Sequence, residues 1–211
     1  MERGQGMSFE SVPVLTGIQP DHYESHLYNF EARYDDKLFQ KLLEAAGQII
    51  NDKFEQRYLF LCGSPGSGKT HFLVGLFRAR VAKDKGVMGS NFAVYIQFLS
   101  LITEIIEGFP QTHSTRMGLL PYLTPKFLFL DDLSKSEKIV DPVKMEFQVL
   151  KDILLDRFEN KRILISTTNF SSTELKRMIR SAFGEYVASR IESTGVFIDF
   201  PKQDFRRRND K

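Results

Sequence analysis

The period of the apolar positions changes several times along the chain. Over residues 37–50, KLFQKLLEAAGQII puts Leu38, Leu42, Ala45, Ala46 and Ile49 on one helical face, which predicts a leading helix. Five short, nearly continuous apolar runs follow: YLFLC (58–62), FAVYIQF (92–98), KFLFLDD (126–132), RILIST (162–167) and VFIDF (196–200). Helical patterns separate them over 70–83, 99–107, 142–158 and 172–178. Strands covered on both faces lose the two-residue alternation of half-exposed ones, so this order predicts a parallel sheet with right-handed crossovers. The expected fold is an α/β three-layer sandwich around a five-stranded parallel sheet. Residues 1–25 carry Gly and Pro without a sustained period and read as a flexible N-terminal arm, with 26–211 as one domain.

Composition narrows the function classes without choosing one. With 211 residues, 42% of them hydrophobic, the chain has enough apolar material for one compact core. A net charge of +2 provides no global positive field that would by itself point to nucleic acid, although a local basic face is compatible with it. The single Cys62 cannot form an internal disulfide and reads as a small buried side chain in an apolar strand. No apolar run approaches the roughly 18 residues of a membrane span, and no hydrophobic block of a signal peptide follows the N-terminus. The expectation is a soluble, cytoplasmic protein.

The candidate chemistry starts at GSPGSGKT (63–70), between the first apolar strand and an apolar-faced helix. Gly63, Gly68, Lys69 and Thr70 complete the G-x-x-x-x-G-K-[ST] pattern in the strand–turn–helix context its mechanism requires. Glycines let backbone N–H groups curl around a phosphate, and the helix start directs its positive dipole end at the same anion. Lys69 is placed to reach the β- and γ-phosphates and Thr70 to offer a hydroxyl to Mg²⁺, while Pro65 and Ser67 shape the loop. FLFLDDLS (127–134) then delivers two carboxylates at the C-terminal end of a strand, where open parallel sheets bind ligands. Asp131 is expected to hold Mg²⁺ and Asp132 to orient or deprotonate an attacking water. ILISTTN (163–169) ends in Asn169, which either hydrogen-bonds the γ-phosphate or its attacking water, or caps the next helix together with Ser171 and Ser172.

The order of these pieces resembles the AAA+ ATPases, most closely the branch of helicase loaders and insertion-sequence ATPases (DnaC/IstB type), with the replication initiator DnaA as a relative. The resemblance covers about residues 28–208 and rests on YNF, GSPGSGKTHF, FLFLDDL, RILISTTNFSSTEL, GEYVASRIES and DFPKQDFRRR. It implies a strand order 5-1-4-3-2, an extra helical element within 99–125, and ATP or ADP held by Gly63, Ser64, Pro65, Gly66, Ser67, Gly68, Lys69, Thr70 and His71. Lys69, Asp132 and Asn169 would be catalytic, with Thr70 and Asp131 around Mg²⁺. Arg190 falls on the arginine-finger position, which acts in trans on the nucleotide of the next subunit and so implies a homo-oligomer. The other reading of Arg190 is a surface arginine paired with Glu192 or Glu185.

Only eleven residues follow the fifth strand, so no C-terminal helical lid is expected. By resemblance Phe30 and Tyr34 either line the adenine pocket or pack in the core. Basic candidates for DNA contact are Arg116, Lys135, Lys138, Lys176, Arg177, Arg180 and the FRRR run at 205–208, each of which also reads as a solvated face. His22 and His26 stand four apart, but no acidic or Cys motif completes a zinc site. The function implied is an ATP-hydrolysing AAA+ protein that oligomerises on DNA and loads or recruits a replicative helicase. A transposition helper ATPase partnering a transposase, and a non-hydrolysing, nucleotide-gated replication regulator, are the alternatives.

Overall fold

The computed structural model describes residues 18–30, 36–83, 92–108, 115–133 and 145–205, and the side chains of 115–117 lie outside that description. Five parallel strands, β1 (Tyr58–Cys62), β2 (Ala93–Gln97), β3 (Phe127–Asp131), β4 (Ile163–Thr168) and β5 (Gly195–Asp199), form one sheet in the order β2-β3-β4-β1-β5. This is the 5-1-4-3-2 order read from the opposite edge. The central β1, β3 and β4 are buried along their whole length, which explains why their sequences show no polar alternation.

Seven α-helices complete the described layers. Helices α1 (Asp36–Ile50) and α2 (Lys69–Lys83) cover one face, where Leu42, Ile49, Phe72 and Phe77 pack on Leu59, Leu61, Phe129 and Ile165. The other face carries α3 (Phe98–Gly108), α4 (Thr115–Leu123), α5 (Met145–Glu159), α6 (Ser172–Phe183) and α7 (Glu185–Ser193). There Leu101, Leu119, Ile153, Ile179 and Ala188 meet Tyr58, Phe60, Leu128 and Leu164. Strand residues alternate between the two clusters, so each buried strand serves both cores. Each large apolar side chain that is fully buried in this way contributes about 1.5–3 kcal/mol.

The strand expectations hold to within about one residue at each end. The insertion over 99–125 supplies α3 and α4, while 142–144 of the helical stretch expected over 142–158 lie outside the described residues. The pattern read over 172–178 continues to Phe183, because Leu175, Ile179 and Phe183 remain on the buried face for another turn. Arg157, fully buried, donates its Nη1 and Nη2 protons to the carbonyls of Pro125 and Tyr122 beyond and within the last turn of α4. Carbonyls at a helix C-terminus lack intrahelical partners, and a cation suits that dipole end. Burial nevertheless pulls the Arg157 pKa down to about 9, a measure of what desolvating this charge costs.

Most of the expected arm, 1–17, lies outside the described residues. Its described part packs: Ile18 is buried in the α1/α2 core, Pro20–His22 and Leu27–Asn29 form short 3-10 turns, and the segment crosses the start of α2. Contact is close enough to require glycine at position 75, where a Cβ would stand 2.8 Å from the Leu27 nitrogen and 2.9 Å from the His26 carbonyl carbon. Among the described residues no helix is long and apolar enough to cross a membrane.

Alanine normally stabilises a helix interior relative to glycine by about 1 kcal/mol. Here Gly75→Ala is expected to lower stability by about 1–3 kcal/mol through overpacking against backbone, read as a lower denaturant midpoint. A raised midpoint would show that the segment over residues 26–27 does not pack on α2.

Candidate functional site

All five strands end at one edge of the sheet, and the turn between β1 and α2 lies there. Gly63, Gly66 and Gly68 adopt φ of 130°, 75° and 91°, a region that side chains disfavour, so the turn needs its glycines for backbone reasons alone. At Gly63 a Cβ would also sit 2.7 Å from the Phe200 carbonyl oxygen. Lys69 opens α2 and is buried. Its ammonium donates to the carbonyls of Gly63 (2.8 Å) and Ser64 (2.7 Å), and its third proton has Ser67 Oγ (3.4 Å) and Asn169 Oδ1 (3.3 Å) within reach.

Beside the turn lies a cavity of about 510 Å³, lined by residues 65–71 together with Gln97, Asp131, Asp132, Thr167 and Asn169. Gln19 and His22 of the N-terminal segment and Phe205 complete the wall. Gly63 and Ser64, expected with the other loop residues around the ligand, stand behind this lining, their carbonyls turned to Lys69. The chain after β5 runs along the loop: Phe200 N donates to Cys62 O (2.7 Å), Ser64 Oγ to Pro201 O (3.3 Å) and Phe205 N to Gly66 O (3.0 Å).

Asp131, the last residue of β3, is 2% exposed. Its Oδ1 accepts from Thr70 Oγ1 (3.1 Å) and Thr167 Oγ1 (2.5 Å), and its Oδ2 from the Tyr95 hydroxyl (3.0 Å). Burial, reinforced by the neighbouring carboxylate, pushes the Tyr95 pKa far above its ordinary value and keeps that hydroxyl a donor. Asp132 takes φ of +62° with its N–H donating to Thr167 Oγ1 (2.8 Å), and its side chain borders the cavity. Hard oxygen ligands at this place suit magnesium, which commonly uses one or two protein oxygens and completes its shell with phosphate and water. Among the described residues no cluster of three His, Cys, Asp or Glu forms an all-protein cage.

Asn169 faces Lys69, and the helix cap is Ser171, whose Oγ accepts from Glu174 N while Glu174 accepts from Ser171 N. The capping alternative for Asn169 is thereby corrected. Arg190 does not line the cavity. Its guanidinium lies over the rings of Tyr186 (3.7 Å) and Phe158 (4.8 Å), while Glu185 and Glu192 both pair with Arg180 at 2.8 Å. The ion pairing considered for Arg190 thus belongs to Arg180. His71 borders the cavity, but its Nε2 meets His26 O (3.2 Å) and Asn29 Oδ1 (2.9 Å), two acceptors that assign the proton to Nε2. Burial lowers its pKa and favours that neutral ring.

Phe30 packs in the core on Phe72 (5.3 Å between centroids) and is not part of the cavity wall. Of the basic candidates, Arg177 is exposed, Lys176 lies over the Phe197 ring (4.5 Å), and Arg180 is held by its glutamates. Tyr34, Lys135, Lys138, 206–208 and the Arg116 side chain lie outside the described residues. Sequence reading missed Tyr95, Thr167, Gln19, Gln97 and Phe205. Only Thr167, inside the polar STT run that ends an apolar strand, carried a local signal.

No family model matches the sequence, and no curated protein matches it. Among solved structures the chain is similar to that of the DnaC helicase loader, with a TM-score of 0.68 and 23% identity over 87% of this chain and 100% of that one. It is similar also to DnaI (0.66; 19%; 87% and 95%). AMPPCP-bound DnaA from Aquifex aeolicus aligns with a TM-score of 0.59 and 19% identity over 87% of this chain and 50% of that one. The fold is the three-layer α/β AAA+ fold, of the kind seen in DnaC and DnaA.

Cys62 ends β1 beneath the turn, fully buried, and its thiol pKa is pushed up to about 12 by burial and by Asp199 nearby. A thiolate is the reactive form, so a thiol reagent at pH 8 is expected to leave Cys62 untouched in folded protein and to modify it fully in denaturant. Stoichiometric labelling of the native form would contradict the closed packing under the loop.

Proposed function

We propose that this protein binds ATP with Mg²⁺, hydrolyses it in an oligomer assembled on DNA, and uses that cycle to load or recruit a replicative helicase. The observation that carries the reading is the glycine turn at the start of α2 facing the buried Asp131 across a cavity. Backbone N–H groups of residues 66–71 and the N-terminal dipole of α2 bind the phosphates. Lys69 exchanges its neutral carbonyl partners for charged phosphate oxygens, a stronger hydrogen bond. Thr70 and Asp131 hold the magnesium ion, which when bound offsets charge on the phosphate oxygens. Asp132 orients the attacking water and takes its proton, and Asn169, already within reach of Lys69, fixes the γ-phosphate or that water.

Arg190 lies outside the cavity of its own subunit, which supports a trans role in which it neutralises charge on a neighbour's γ-phosphate. Likeness to solved structures named as a helicase loader and as a DnaA holding AMPPCP supports the nucleotide and the replication setting. Exposed Arg177 is a candidate for contact with DNA phosphates.

Lys69→Ala is expected to abolish ATP binding in calorimetry. Arg190→Ala should keep ATP binding and lose at least about a hundredfold in turnover. Mixing Arg190→Ala with Asp132→Asn should restore turnover in part, because each subunit type supplies the group the other lacks. Turnover by Arg190→Ala within twofold of wild type at every protein concentration would remove the trans finger. Unchanged turnover in Asp132→Asn would remove Asp132 as the base, and ATP binding by wild type without turnover under any of these conditions would favour a non-hydrolysing, nucleotide-gated switch. Light scattering with ATP and with single-stranded or duplex DNA should report a larger assembly than protein alone.

A further inference from the structure

Parity along the strands selects one row of side chains at the C-terminal edge of the sheet. Phe127 and Phe129 face the α1/α2 layer, so Asp131, two residues further on, points the same way. Ile163 and Ile165 place Thr167 on that face in the same manner, and Tyr95 shares it. The β3–β4 register pairs Leu130 with Ser166, so Thr167 stands directly across from Asp131. Three residues far apart in sequence are thereby neighbours, under the first turn of α2.

Thr167 is buried and its hydroxyl is engaged twice. It donates to Asp131 Oδ1 at 2.5 Å and accepts from Asp132 N–H at 2.8 Å, the one donor and one of the two acceptor sites that a hydroxyl offers. Its carbonyl accepts from Leu133 N at 3.0 Å, so one residue of β4 grips three consecutive residues, the last of β3 and the two that follow it. Asp132 is held in a left-handed conformation that non-glycine residues seldom adopt, and such conformations persist where surrounding bonds over-determine them. Tyr95 secures the other oxygen of Asp131 from β2. Of the three hydroxyls on this carboxylate, Thr70 alone belongs to the helix after the phosphate turn. The other two come from the sheet, so their hold on Asp131 is independent of α2.

We propose that Thr167, assisted by Tyr95, is the positioning residue for both carboxylates: it aims Asp131 at the magnesium position by its donated proton and sets Asp132 through its N–H. This rests on the nucleotide reading above and extends it to side chains that act through the two carboxylates. The γ-methyl and the hydroxyl of Thr167 make separable contributions, since valine keeps the shape and loses the hydroxyl while serine does the reverse. Losing a hydrogen bond to a charged group changes an equilibrium about tenfold to a hundredfold.

The test is calorimetric ATP affinity in EDTA and in Mg²⁺, for wild type, Thr167→Val, Thr167→Ser and Tyr95→Phe. Wild type and Thr167→Ser are expected to bind more tightly with Mg²⁺. Thr167→Val should bind as wild type does in EDTA and lose most of the gain from Mg²⁺, about tenfold or more, with its turnover falling in parallel. Tyr95→Phe keeps its buried ring and should lose part of the same gain, which gives an independent reading should Thr167→Val not fold. The proposal is overturned if Thr167→Val and Tyr95→Phe keep the full gain, if Thr167→Ser loses as much as Thr167→Val, or if wild type binds in EDTA with no gain from Mg²⁺. No ATP binding by wild type under either condition would remove the nucleotide reading itself, a result distinct from each of these.

Discussion

One buried carboxylate organises the functional edge of this molecule. Asp131 sits at 2% exposure where β3 ends, and an unsatisfied carboxylate there would destabilise the fold severely. Hydroxyls of Thr70, Tyr95 and Thr167 satisfy it, and they arrive from α2, β2 and β4. The same three contacts therefore join the start of α2, after the glycine turn, to the sheet on both sides of β3. A polar network of this kind rigidifies its surroundings when every member has a partner, which is the condition met here for the Asp131 oxygens. Site and fold share these bonds, so the geometry of the acidic pair follows from the strand register itself.

The described chain also closes on the glycine turn and the helix that follows it. Before α1, residues 18–30 cross α2, held by His71 to His26 and Asn29, by Arg78 to His26, and by the missing side chain at Gly75. After β5, residues 200–205 bond to Cys62, Ser64 and Gly66. The carbonyls of Cys62 and Gly66 are thus bonded to the segment after β5, while the segment before α1 is bonded to side chains of α2. Arg190, stacked on Tyr186 and Phe158 away from the cavity, belongs to another part of the surface, formed by α5 and α7. Its guanidinium keeps a defined place through ring contacts, while Arg180 takes up the nearby carboxylates.

Local backbone requirements and core-facing period were legible in the sequence. Strands such as FLFLD and YLFLC read as buried because a parallel sheet covered on both faces needs apolar residues at every position. The stretch at 63–70 read as a tight turn because positive φ values demand glycine there, and the acidic pair read as a strand terminus. Tertiary structure alone decided which polar groups meet. Thr167 and Asp131 are 36 positions apart, Ser64 and Pro201 are 137 apart, and their contacts follow from strand order and register, which single residues do not encode. For the same reason the sequence left Asn169, Arg190 and the helix cap ambiguous. A hydroxyl, an amide or a guanidinium has the same local signature whether it faces a cavity, a helix end or water, and only the packing of distant elements selects among these.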